Sequence, residues 1–123
     1  MKMKVIIAGS RKETNYDVVK NAIEFSEYKI TTVISGGCRG VDKFGEQWAK
    51  ENKIPLQVFK ADWAKYGRAA GPKRNRQMAE EADALIAILY PKSRGTNDMI
   101  KTALKQGLKV FVHTPIGVDT LIV

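Results

Sequence analysis

Apolar and polar positions along this chain fall into two periods, one suited to strands and one to helices. Lys4-Val5-Ile6-Ile7-Ala8 is a short continuous apolar run, the pattern of a strand buried on both faces. Thr31-Thr32-Val33-Ile34, Pro55-Leu56-Gln57-Val58-Phe59, Ala84-Leu85-Ile86-Ala87-Ile88-Leu89 and Lys109-Val110-Phe111-Val112 predict further strands, and Leu121-Ile122-Val123 a short edge strand. Between them the period changes. Val19, Ala22, Ile23 and Ser26 share one face of a helix from about Asn15 to Glu27, with Thr14 or Asn15 as its N-cap. Val41, Phe44, Gly45, Trp48 and Ala49 follow the spacing of a second amphipathic helix. Gly71-Pro72 predicts the start of a third, with proline in its favoured first position and Met78, Ala79 and Ala82 facing inward. Thr96 is expected to cap a fourth, which buries Met99, Ile100, Ala103 and Leu104 and stops at Gly107.

Strands alternating with helices predict βαβ units, and right-handed crossovers then give an α/β, Rossmann-like, three-layer domain. The expected sheet has about five strands, mainly parallel, with helices on both faces, and residues 1–123 form one domain. Residues 60–71 depart from this rhythm, because a βα connection usually takes about 2–6 residues. Connections of that length often carry function.

Four polar stretches follow the apolar runs: Gly9-Ser10-Arg11, Ser35-Gly36-Gly37-Cys38-Arg39-Gly40, Gly67-Arg68-Ala69-Ala70-Gly71-Pro72-Lys73-Arg74, and Ser93-Arg94-Gly95-Thr96. In a parallel sheet all four lie at the carboxyl edge, where open α/β sheets bind ligands. Small residues let backbone N–H groups approach a phosphate, and a helix start adds about half a positive charge. The loops therefore predict a nucleotide- or phosphate-binding site.

Charge sharpens this. Twenty-one Lys and Arg against thirteen Asp and Glu give +8, which suggests an anionic partner, either a phosphorylated small molecule or a nucleic acid. Arg11, Arg39, Arg68, Arg74, Arg76 and Arg94 fall in or beside the glycine loops, and guanidinium groups match phosphate bidentately. A single cysteine, Cys38, excludes an internal disulfide and a cysteine zinc site, and no metal is expected. No apolar run reaches the ~20 residues of a membrane span. Met1-Lys2-Met3-Lys4 leads into the first strand with no secretory h-region, so the expected location is cytoplasmic, with no membrane partner.

The order of the motifs resembles the SLOG superfamily, which joins the Smf/DNA-processing proteins with the Lonely-Guy enzymes. Gly9-Ser10-Arg11, Ser35-Gly36-Gly37 with Arg39-Gly40 and Asp42, Arg74 with Met78, Ala82-Asp83-Ala84 with Ile86, and Arg94-Gly95-Thr96 carry the resemblance. Ala61-Asp62-Trp63, Tyr66-Gly67-Arg68-Ala69-Ala70-Gly71-Pro72 and Arg74-Asn75 are most similar to the small YspA-like branch of bacteria and phages. The resemblance covers residues 4–112 and implies a nucleotide or nucleotide-derived ligand, such as a ribose phosphate or an ADP-ribose or NAD-like molecule. No other cofactor is implied. It also implies a homodimer or higher homo-oligomer, for which Trp48 and Leu121-Ile122-Val123 are candidate apolar surface.

The resemblance departs at one position. Lonely-Guy enzymes hydrolyse the N-glycosidic bond of nucleoside monophosphates and carry a catalytic Glu where this chain has Met99. Asp98, one residue earlier, is turned about 100° around the helix. Asp98 and Glu46 are the candidate general bases for a variant hydrolase, one alternative to simple binding. Single-stranded nucleic-acid binding is the other alternative.

Expected ligand-binding residues are Gly9, Ser10 and Arg11 in the first loop, and Ser35, Gly36, Gly37, Arg39, Gly40 and Asp42 in the second. Arg68, Gly71, Arg74 and Asn75 are expected from the third, and Arg94, Gly95 and Thr96 from the fourth. Gly36 and Gly37 serve either backbone approach to phosphate or a turn at positive φ. Asp42 accepts from a ribose hydroxyl or caps a helix. Arg74 and Arg76 point about 200° apart, so one of them reaches the site, and the motif selects Arg74. Trp63 and Tyr66 either stack on a base or anchor the long loop.

Overall fold

The computed structural model describes residues 2–115 and 120–122. Its sheet has strand order β3-β2-β1-β4-β5-β6, in which β1 is Lys4–Gly9, β2 Thr32–Ser35, β3 Leu56–Val58, β4 Ala84–Ile88, β5 Lys109–His113 and β6 Thr120–Ile122. The first five strands are parallel, and β6 pairs antiparallel with β5. The chain runs outward from β1 to β3, then crosses back to β4 on the other side of β1. The strand order therefore reverses between β1 and β4, and a crevice opens there at the carboxyl edge.

Helices cover both faces because the strand side chains alternate. Val5, Ile7, Val33, Ile86, Ile88 and Phe111 pack under α1 (Tyr16–Ser26) and α2 (Val41–Glu51). Ile6, Ala8, Ile34, Leu85, Ala87 and Val112 pack under α4 (Ala70–Glu81) and α5 (Arg94–Lys105). In α1 the buried residues are Val19, Ala22, Ile23 and Ser26, as the periodicity predicts, and Asn15 caps the helix by accepting from the Asp17 N–H at 2.9 Å.

Three local expectations are corrected. Residues 60–71 are not an irregular loop. Asp62 caps the short helix α3 (Trp63–Tyr66), a 3-10 turn follows at Gly67–Ala69, and α4 begins at Ala70. Pro72 is thus the third helical residue, still in the first turn, where a missing N–H costs nothing. α5 begins two residues before Thr96, with Ser93 at its N-cap position. Thr96 is buried in the first turn, where its hydroxyl accepts from Ser93 Oγ at 2.8 Å. Leu104 is 47% exposed, because α5 seats Met99 and Ala103 on the sheet and turns Leu104 outward.

Trp48 is half-buried against the α1–α2 core, which reduces the apolar surface it leaves for an oligomer. The expected edge strand exists as β6. Val123 and the side chains of Leu121 and Ile122 lie outside the described residues.

Candidate functional site at the switch point

A cleft of about 820 Å³ opens at the crevice between β1 and β4. Its floor is the end of β1, Ala8 and Gly9, where a Cβ on Gly9 would lie 2.7 Å from the Ile88 carbonyl oxygen of β4. One wall is the loop from Ser10 to Thr14, and another is Tyr90 to Ser93 with the start of α5. Arg74, Asn75 and Met78 of α4 and Asp42 of α2 close the interior.

Arg74 is the centre of this wall. It is 9% exposed, its Nε donates to Asn75 Oδ1 at 3.1 Å, and its Nη1 donates to the Gly36 carbonyl at 2.9 Å and to Cys38 Sγ at 3.6 Å. Nη2 has no hydrogen-bond partner among the described residues. Asn75 in turn donates to Asp98 Oδ2 at 2.9 Å, so α5, α4 and the β2–α2 loop are joined through one amide and one guanidinium.

The glycine loop is shaped for this arrangement. Gly36 has no room for a side chain, since a Cβ there would lie 2.9 Å from both Arg74 Nη1 and Asp42 Oδ2. Gly40 has φ +75°, and a Cβ there would lie 2.2 Å from the Ser10 carbonyl oxygen, which also accepts from Val41 N–H at 3.1 Å. The first and second loops are therefore packed backbone to backbone. Ser35 is fully buried. Its hydroxyl donates to Glu46 Oε2 at 2.7 Å and accepts from the Gly37 N–H at 3.0 Å.

Two carboxylates face the cleft, and each is held. Asp42 is 5% exposed and accepts from the Cys38 N–H at 3.1 Å. Burial pushes its pKa up to about 6, against the opposing pull of that N–H and of Arg74. Glu13 accepts from the Tyr90 hydroxyl across the cleft and from the Thr14 and Asn15 N–H groups, both at 3.2 Å. Burial, reinforced by the Glu13 contact, pushes Tyr90 up to about 12, so its phenol stays protonated.

At the opposite wall α5 starts uncapped. Ser93 makes no side-chain capping bond, and the Arg94, Gly95 and Thr96 N–H groups have no acceptor among the described residues. This twelve-residue helix therefore presents free donors and its positive dipole end where Gly95 and Thr96 line the cleft.

Of the expected ligand-binding residues, the cleft brings together Gly9, Ser10, Arg11, Asp42, Arg74, Asn75, Gly95 and Thr96. Ser35, Gly36, Gly37 and Gly40 build the loop behind it without lining it. Arg39, Arg68 and Arg94 are exposed and outside it, while Gly71 is buried, and a Cβ there would lie 3.3 Å from the Trp63 ring. Neither expected general base lines it. Glu46 is engaged with Ser35 and Lys43, and Asp98 with Asn75. Trp63 lies outside the cleft with Arg11 5.7 Å from its ring centroid. Sequence reasoning missed Lys12, Glu13, Thr14, Tyr90, Pro91 and Lys92. The position of Tyr90, directly after the fourth apolar run, was the available signal. Glu13 carried none, because its partner lies 77 residues away.

The fold and the cleft define a Rossmann-like α/β protein with a cleft at its topological switch point. The chain belongs to the YspA, cpYpsA-related SLOG family (YAcAr), whose model matches residues 3–66, a little over half of its length. Among solved structures it is similar to the X-ray structure of DNA processing protein A (DprA) from Streptococcus pneumoniae, with a TM-score of 0.72 and 20% identity. That match covers 90% of this chain and 50% of the DprA chain, so the protein spans half the length of that neighbour, and the likeness is one of fold. No curated protein matches the sequence. Among the described residues no helix is long and apolar enough to cross a membrane, and no cluster of His, Cys, Asp and Glu could hold a metal ion.

Proposed function

We propose that residues 1–123 form one ligand-binding domain whose cleft takes a nucleotide or nucleotide-derived molecule, of the ribose-phosphate, ADP-ribose or NAD-like class. The observation that carries this reading is a nearly buried guanidinium with a free Nη2 and an uncapped helix start in the walls of the same cleft. Together they supply charge and backbone donors for a phosphate. Asp42 adds an acceptor suited to a ribose hydroxyl. A volume of about 820 Å³ lies in the range of about 300–1,000 Å³ usual for small-molecule sites.

Recognition is favoured over hydrolysis because Asp98 and Glu46 are tied into the scaffold. Thermal unfolding with AMP, ADP, ADP-ribose and NAD tests the proposal. A ligand at 100 times its dissociation constant adds about 2.7 kcal/mol, several degrees for a domain of this size. Arg11→Ala, a change on the exposed rim, should reduce the shift. No shift with any of the four sinks the reading.

A further inference from the structure

We propose that a small groove on the outer side of Arg74 is a second phosphate-binding site, which meets the main cleft at that residue. The groove lies between the end of β3 and the α3–α4 segment and is lined by Lys60, Tyr66, Lys73, Arg74 and Gln77, among others. It holds about 100 Å³. At about 30 Å³ per water molecule, it fits one phosphoryl group and not a nucleoside.

Its charge is concentrated. Lys60, Lys73 and Arg74 line it together with the one acidic residue Asp62. The surrounding residues 60–78 carry Lys60, Lys65, Arg68, Lys73, Arg74 and Arg76 against Asp62 alone, five of the chain's eight net positive charges. The Asp62 carboxylate is occupied as the cap of α3, accepting from the Lys65 N–H at 3.1 Å. Among the described residues none of these six cations is in an ion pair. Lys73 lies 4.5 Å from the Tyr66 ring centroid. The Lys60 stem packs beside Gly37, where a Cβ would lie 3.5 Å from it, so the groove backs onto the glycine loop. Arg74, nine-tenths buried and with Nη2 unpartnered, is shared by the groove and the cleft. Two lysines and one arginine lining so small a space, beside one carboxylate already engaged as a helix cap, suit a phosphate.

The phosphate comes either from a free nucleotide or from the backbone of a single strand. Tyr66, 38% exposed, lines the groove and is the aromatic surface it offers to an unpaired base, whereas a duplex keeps its base faces stacked.

The test compares wild type with the Lys60→Ala/Lys73→Ala double variant, using labelled ADP and a short labelled oligothymidylate. Both lysines are at the surface and neither lines the main cleft, so folding and cleft-dependent nucleotide stabilisation should persist. The double variant should lose a second class of ADP site beyond that of the cleft, or bind the strand about tenfold more weakly with a salt slope shallower by about 0.7 for each phosphate that is no longer neutralised. Weakening confined to ADP identifies the free phosphate as the source, and weakening confined to the strand identifies the backbone. Equal binding by the two proteins, or no binding of either probe to wild type, overturns the groove site. Should nucleotides fail to stabilise the wild type while strand binding still depends on Lys60 and Lys73, the groove stands and the cleft reading falls.

Discussion

Arg74 donates from Nη1 to the Gly36 carbonyl at 2.9 Å, so a single guanidinium joins the start of α4 to the loop that follows β2. The same group spans two roles, one structural and one in the cleft wall, and substitutions should separate them. Arg74→Lys keeps the charge and loses the planar fork. Unfolding in urea should show a loss of about 1–3 kcal/mol from the unsatisfied Gly36 carbonyl. Nucleotide affinity should fall at least about tenfold, the equivalent of 1.4 kcal/mol. Unchanged affinity in Arg74→Lys would remove Arg74 from the binding site.

The glycines make a graded series. A Cβ at Gly40 would meet Ser10 backbone at 2.2 Å with φ at +75°, and one at Gly36 would press on the side-chain ends of Arg74 and Asp42 at 2.9 Å. A Cβ at Gly95 has nothing within 4 Å. Alanine should therefore cost about 3 kcal/mol or more at Gly40, where overpacking adds to strain, and about 1–3 kcal/mol at Gly36. Gly95→Ala should change stability by about 0.5 kcal/mol or less. Denaturation midpoints of the three variants check the order.

Asp42 ties stability to pH. Its pKa is raised from 3.8 to about 6 in the folded protein, chiefly by burial, so the native state holds a proton that the unfolded chain has released. Stability is fully present below about pH 4 and falls as pH rises through 6, by at most about 3 kcal/mol at 1.36 kcal/mol for each pH unit. Asp42→Asn keeps an acceptor for the Cys38 N–H and cannot ionise. It should flatten this slope and stabilise the protein at pH 7 to 8, while weakening a ribose-containing ligand. Urea unfolding of both proteins from pH 4 to 8 measures the difference, and identical slopes would contradict the assignment.

Asp98 distinguishes a scaffold role from a chemical one. Its Oδ2 accepts from Asn75, whose Oδ1 accepts from Arg74 Nε, so Asp98 fixes the amide that orients the guanidinium. Asp98→Asn retains an acceptor and should bind nucleotides as wild type does. Asp98→Ala frees the Asn75 amide and should lower affinity several-fold. Equal losses in both variants would point to the charge of Asp98 and not to its hydrogen bond.

Much of this architecture was legible in the amino-acid sequence. Buried strands show as apolar runs, and the α1 stripe of Val19, Ala22, Ile23 and Ser26 reads directly from a 3.6-residue period. The start of α5 was misplaced because Ser93 and Thr96 are both cap-type residues, and only packing decides which one turns inward. Cleft-lining residues next to glycines are visible for the same reason as the strands: they follow local rules. Glu13 and Tyr90 are not, since their contact exists only once β1 and β4 are neighbours. Asp98 and Glu46 looked like free carboxylates until the fold supplied Asn75 and Ser35 as their partners.

The most direct test of the central claim is the backbone amide spectrum of isotopically labelled protein titrated with the nucleotide that stabilises it most. The account predicts shifts concentrated at Gly9 to Thr14, Cys38, Asn75, Gly95 and Thr96, which surround the switch-point cleft. Shifts confined to other surfaces, or a spectrum that no nucleotide changes, would contradict it.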